Sequence, residues 1–201
     1  MIGNRRALLC ALIGVAALAG CASSPSGPPR DANNICSILD ERDDWGPALA
    51  KAQDRWGVPP EIVMAIIWKE SSFRAKARPP KKYTFFGLVP NGRLSSAYGY
   101  PQAIDGTWEW YQDETGNGWA DRDDFEDATD FVGWYMNKTL RANGLALTDA
   151  YSQYLAYHEG HTGFNRGSWR AKGWLQTAAG RVASQAELYR RQLATCGSLV
   201  A

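Results

Sequence analysis

The chain has 201 residues, with 22 Lys and Arg against 21 Asp and Glu and a formal charge of +1 at pH 7. Such balance gives no support for nucleic acid as a partner. A length near 200 with 45% hydrophobic residues suits one domain with a proper core rather than several.

In chain order, the first twenty residues read as a leader. Arg5 and Arg6 make a positive start, residues 7–19 form an apolar run too short to span a bilayer as a mature helix, and Leu18-Ala19-Gly20-Cys21 closes it with small residues. This ending resembles a bacterial lipobox, which implies cleavage before Cys21 and lipidation of that cysteine; the alternative is an ordinary signal followed by an unmodified cysteine. Ala22 is not the aspartate that retains such lipoproteins in the inner membrane, so the resemblance favours the outer membrane, with the protein facing the periplasm. Residues 22–31, "ASSPSGPPRD", bury too little apolar area to offset their ordering entropy and read as a tether of up to roughly 30 Å. The expected organisation is a signal peptide over 1–20, a lipidated N-terminus and flexible tether over 21–35, and a folded domain over 36–201. Without the two leader arginines, 20 of the 22 basic residues remain against 21 acidic ones.

Cys10 leaves with the leader and Cys21 takes lipid. Cys36 and Cys196 remain, one near each end of the domain, and in an exported, oxidising setting they are predicted to pair. The bridge would close a loop of about 160 residues and, in the chain-entropy model, stabilise by up to about 5 kcal/mol. Two independent buried thiols are the other reading.

The domain reads as almost wholly helical. Residues 45–56 have helical spacing and stop at Gly57, and Pro59-Pro60-Glu61 starts a second helix with proline in the first turn and an acid near the positive end. Thr107 is placed as the cap of a third helix running to Gly116. A fourth covers 127–142 and ends at Asn143-Gly144, a fifth opens at Thr148 or Asp149 and reaches His158, and a sixth spans 184–195. Residues 82–89 supply a short hairpin arm, and the long Pro- and Gly-rich stretch 75–100 reads either as a functional or mobile loop or as a surface insertion with no role.

The second helix ends in "IIWKESSF". At about 100° per residue with Glu70 at zero, Val63 falls near 20°, Ile66 near −40° and Ile67 near 60°. Glu70 therefore points with the apolar side. An acid placed there is desolvated and its pKa rises, which is what a general acid needs at neutral pH.

Three segments in order resemble the catalytic domain of lytic transglycosylases of the soluble-transglycosylase kind, with their goose-type lysozyme-like fold. Glu70-Ser71 matches the family's Glu-Ser pair. "SAYGYPQAIDGTWE" matches its Gly-Leu-Met-Gln segment through Gly99 and Gln102, with Tyr100-Pro101 in place of Leu-Met. "YLAYHEG" matches its Ala-Tyr-Asn-x-Gly segment through Tyr157 and Gly160, with His158 in place of asparagine. The interval from Ser71 to Gln102 is longer than is usual in such domains. The implied fold is mainly α and lysozyme-like, with the hairpin arm lining the groove.

The resemblance implies a peptidoglycan substrate, Glu70 as the sole catalytic acid/base, and 1,6-anhydro-muramic acid products. It places Ser71, Gly99, Tyr100, Gln102, Tyr157 and His158 at the substrate, with Tyr157 hydrogen-bonded to Glu70. No cofactor and no metal are expected, and the partners are glycan strands and, through Cys21, a membrane; the protein is expected to be a monomer. A hydrolytic lysozyme remains a rival, with Asp105, Glu109, Asp113 or Glu159 as second carboxylate. So does a non-catalytic peptidoglycan-binding lipoprotein. "HEGH" at 158–161 falls one residue short of the zinc-binding His-Glu-x-x-His spacing.

Overall fold

The apolar periodicities condense into a bundle of helices in a computed structural model, which describes residues 27–84 and 89–196. The leader, Cys21 and residues 22–26 lie outside the described residues. Helix α1 (Ile35–Glu41) is followed by α2 (Trp45–Trp56) and α3 (Pro60–Ser71). An antiparallel arm of β1 (Lys81–Thr84) and β2 (Val89–Arg93) leads to α4 (Asp105–Thr115), α5 (Phe125–Asn143) and α6 (Ala150–Asn165), then a 3-10 turn (Ser168–Ala171) and α7 (Gly173–Cys196). The architecture is mainly α and lysozyme-like, as expected.

Helix α3 is the axis of the core. Its residues 62–67 are all between 0% and 4% exposed, walled by α2, α5 and α7, so every face of this helix is apolar until Trp68. Buried to this degree, six side chains contribute on the order of 10 kcal/mol of apolar transfer, an upper figure because the unfolded chain already buries some of them. Helix α5 lies close against α2: a Cβ on Gly133 would sit 2.8 Å from Trp56 Cδ1. Asp130 on α5 reinforces that contact by accepting from Trp56 Nε1 at 2.7 Å and from the Tyr111 hydroxyl of α4 at 2.8 Å.

Several boundaries differ from the sequence expectation for identifiable reasons. Helix α4 begins at Asp105, two residues before Thr107, with Ile104 at the N-cap and no side-chain cap. Helix α5 is capped by Asp124, which accepts from the Asp127 amide at 3.0 Å, and so starts two residues early. Asp149 does cap α6, accepting from the Ser152 amide at 3.0 Å, but the helix runs on past His158, interrupted at Gly160 (φ 72°, ψ 158°). Helix α7 starts eleven residues before 184, carrying Gly173 and Gly180 within a span that glycine would normally punctuate. The hairpin is displaced, pairing Lys81 with Arg93 and Thr84 with Val89.

The stretch 27–34, expected as tether, is strapped to the domain. Arg42 Nη2 donates to the Gly27 carbonyl at 2.7 Å, Tyr189 donates to the Ala32 carbonyl, and Gln192 both accepts from the Ile35 amide at 3.0 Å and donates to the Asn33 carbonyl at 3.1 Å. Asn34 then caps α1 by accepting from the Ser37 amide. Cys36 on α1 and Cys196 on α7 form the disulfide, with Cα atoms 5.9 Å apart across a sequence separation of 160.

Candidate active site

Glu70 lies in the last turn of α3, where unpaired carbonyls form the negative end of the helix dipole and oppose a carboxylate. Its carboxyl is enclosed by protein while the residue keeps some exposed surface. Burial pushes its pKa up to about 7, against the opposing pull of a hydrogen bond from Tyr154 and the charge of Lys69. The chain leaves the helix through Ser72 (φ 51°) and Phe73 (φ 58°), two successive non-glycine residues in the left-handed region. That departure costs about 1 kcal/mol per residue and is held by the complete burial of Phe73, whose ring meets Trp45 at 5.6 Å. Ser71 is buried, and its hydroxyl donates to the Ile67 carbonyl at 3.1 Å, so it braces the turn that carries Glu70.

Helix α6 faces Glu70 with two tyrosines at i, i+3. Tyr154 is the one that hydrogen-bonds the carboxyl, and burial followed by the Glu70 charge raises its own pKa. The expected bond from Tyr157 to Glu70 is not what the structure holds: the Tyr157 hydroxyl donates to the Pro101 carbonyl at 2.7 Å. It still lies in the field of Glu70, which after burial is the largest cause of its raised pKa. Tyr151, Tyr154 and Tyr157 recur every three residues, a stripe that would have nominated Tyr154 from sequence.

The 98–103 turn is a brace for this cluster. Gly99 (φ 77°) is required twice over, because a Cβ there would stand 2.0 Å from the Arg122 carbonyl oxygen. Gln102 (φ 50°) donates its side-chain amide to the Ala77 carbonyl at 3.0 Å and the Gly99 carbonyl at 2.8 Å, tying the loop after α3 to the turn. Tyr100, expected along the groove, instead packs its ring edge-on against Trp45 and Phe125 in the core. A connected path thus runs from Tyr157 through Pro101 to Gln102 and Ala77.

His158 stands apart from this cluster. Its side chain is 36% exposed, with Nδ1 3.2 Å from Glu159 Oε1 and the ring 5.0 Å from that of Trp174. Glu159 is committed elsewhere. Burial alone would raise its pKa, but hydrogen bonds from Lys172 (2.7 Å), Ser168 and His158 hold it down to about 2. Of the other acids weighed as a second carboxylate, Asp105 is paired with Arg122 at 2.9 Å, and Glu109 and Asp113 are exposed on α4. His161, the second histidine of "HEGH", is stacked on Tyr135 with Nε2 3.1 Å from Thr139 Oγ1. Among the described residues no group of three His, Cys, Asp or Glu is arranged to hold a metal ion.

An enclosed, proton-retaining glutamate at the end of a buried helix is thus faced by tyrosines, beside a glycine–glutamine turn, in a mainly α, lysozyme-like fold. The sequence signature of the transglycosylase SLT domain matches residues 9–196, and the chain belongs to that family. No curated protein matches the chain. Domains of this family act on peptidoglycan in the cell envelope. Among the described residues no helix is long and apolar enough to cross a membrane.

Proposed function

We propose that the protein is a peptidoglycan lytic transglycosylase in which Glu70 acts alone as acid and then base on the β-1,4 bond between N-acetylmuramic acid and N-acetylglucosamine. The observation that carries this reading is the Glu70 carboxyl, raised to about 7 by burial and lying beside Tyr154. A group with that pKa is substantially protonated at neutral pH and remains acidic enough to give its proton away.

In the first step the Glu70 proton passes to the glycosidic oxygen as the C1–O bond breaks, and positive charge develops on the muramic acid ring. The Glu70 carboxylate then takes the proton of the ring's own 6-hydroxyl as that oxygen bonds to C1. The product is a 1,6-anhydro ring, and Glu70 is protonated again. Because the nucleophile belongs to the substrate, no second carboxylate has to position water. The commitments of Glu159 and Asp105 to ion pairs favour this over hydrolysis.

We infer from the lipobox that Cys21 carries lipid and holds the monomeric protein on the periplasmic face of an outer membrane. For the chemistry, mass spectrometry of fragments released from purified peptidoglycan is the test: anhydro ends are expected, and reducing ends would assign a hydrolase instead. Glu70→Gln should lower release by at least about a hundredfold, the scale of a lost general acid, with the fold retained. Comparable turnover by that variant removes Glu70 from the mechanism.

A further inference from the structure

Between positions 74 and 93 the chain carries six basic residues and no acidic one, in a protein whose total charge is balanced. Three of them, Arg74, Lys76 and Arg78, are exposed and line a cavity of about 780 Å³ together with Ala77, Tyr100 and Pro28. The volume lies within the range of small-ligand sites. None of the lining residues is acidic, and Glu70 is not among them.

The cationic wall is built rather than loose. Arg74 Nε donates to the Ser71 carbonyl at 3.1 Å, and the Arg78 guanidinium lies 4.0 Å over the ring of Tyr98. The Tyr98 hydroxyl donates to Asp123 at 2.8 Å, and Asp123 also feels the charge of Lys76. Asp123 therefore offsets part of the charge of Lys76 and leaves the wall net cationic. The cavity also borders the catalytic cluster: its wall residue Ala77 is bonded to Gln102, and Tyr100 precedes the Pro101 carbonyl that Tyr157 holds.

We propose that this cavity binds the carboxylates of the peptide attached to muramic acid, so that the protein selects peptide-bearing glycan over bare glycan. The inference rests on the peptidoglycan reading above. A glycan seated at Glu70 presents its peptides beside the strand, and the loop that leaves α3 four residues after Glu70 is where such a branch would lie. Multiple exposed guanidinium and ammonium groups at one cavity match a peptide carrying several carboxylates. An anionic lipid surface could also meet these cations, but a concave wall bonded to Ser71, next to Glu70, and to Gln102 favours the substrate's own branch.

The experiment compares cleavage of peptide-bearing glycan strands with the same strands stripped of peptide by an amidase. For Lys76→Ala/Arg78→Ala, the ratio of kcat/KM on peptide-bearing to stripped glycan should fall about tenfold, the sum of two partly exposed ion pairs, with the rate on stripped glycan held within about twofold. Lys81→Ala/Lys82→Ala, on the hairpin outside the cavity, should leave that ratio unchanged. Titration with the free peptide, followed by NMR, should show saturable binding lost in the cavity variant and kept in the hairpin variant. An unchanged ratio, an equal fall on both substrates, or an equal effect of the hairpin variant overturns the proposal. So does binding to phosphatidylglycerol vesicles through Lys76 and Arg78 without peptide binding. If the parent protein cleaves neither glycan, the transglycosylase reading fails, and the peptide titration alone then decides this one.

Discussion

Tyr154 donates a hydrogen bond to Glu70 that opposes the rise burial imposes on its pKa, whereas Tyr157, one helical turn on, spends its hydroxyl on the Pro101 carbonyl. Accepting that bond stabilises the charged carboxyl, so Tyr154 restrains a pKa that burial drives upward. In Tyr154→Phe the restraint is gone and the Glu70 pKa rises further. The alkaline limb of the pH–kcat/KM profile, where the acid loses its proton, should move to higher pH by up to about one unit. Tyr157→Phe should cost about 1 kcal/mol of stability from the lost bond to Pro101 and leave that limb in place. A pH–rate series on both variants distinguishes the two tyrosines, and identical profiles would show that neither tunes the acid.

Glu70 also sets a pH dependence of stability opposite to that of most carboxylates. Its folded pKa of about 7 lies above its ordinary value of 4.5, so the folded state holds the proton more tightly than the unfolded chain does. The stability this confers is full below about pH 4.5 and is lost as pH rises through 7, by an amount of order 3 kcal/mol at most. Glu70→Gln carries no charge to desolvate. It should match the parent in Tm near pH 4 and exceed it at pH 8.5; equal Tm values at both would mean the carboxyl is better solvated than its surroundings indicate.

Gly99→Ala introduces a methyl 2.0 Å from a backbone oxygen at a φ of 77°. Backbone cannot yield as a flexible side chain would, so the turn must open and release Gln102 from Ala77 and Gly99. A loss of about 3 kcal/mol is expected, together with most of the activity. Gly106→Ala, where a Cβ meets nothing within 4 Å, is the matched control and should be near neutral. Urea denaturation of the pair measures the difference.

The Cys36–Cys196 bridge closes a loop of 160 residues between α1 and α7. Its removal by Cys36→Ser/Cys196→Ser should lower stability by up to about 5 kcal/mol, most of it by freeing the unfolded chain. Reductant should lower the Tm of the parent and leave the double variant unaffected. Since the bridge ties α1 to the end of α7 and neither cysteine contacts the groups around Glu70, kcat should hold at temperatures where both proteins remain folded.

The enclosure of the Glu70 carboxyl was legible because the last turn of α3 keeps a polar residue after six buried ones, although the helical-wheel argument separated faces that are in fact all buried. Helices closed by strong local punctuation, such as Gly57 and Gly144 with left-handed caps, ended where expected. Helix α1 did not, since seven residues between prolines and aspartates carry little periodic signal, and its order comes from Gln192 and Tyr189 some 157 positions away. The same holds for Tyr100, whose place in a motif gave no hint that Trp45 and Phe125 would enclose it. Tertiary partners of this kind leave no trace in a local window.

The strap at Gly27 shortens the leash. With lipid on Cys21, as proposed, only six peptide steps separate the bilayer anchor from the carbonyl that Arg42 grips, a contour of about 20 Å at full extension. The protein would then graze the glycan layer lying nearest its membrane, and a longer spacer before Gly27 would widen the zone it can crop.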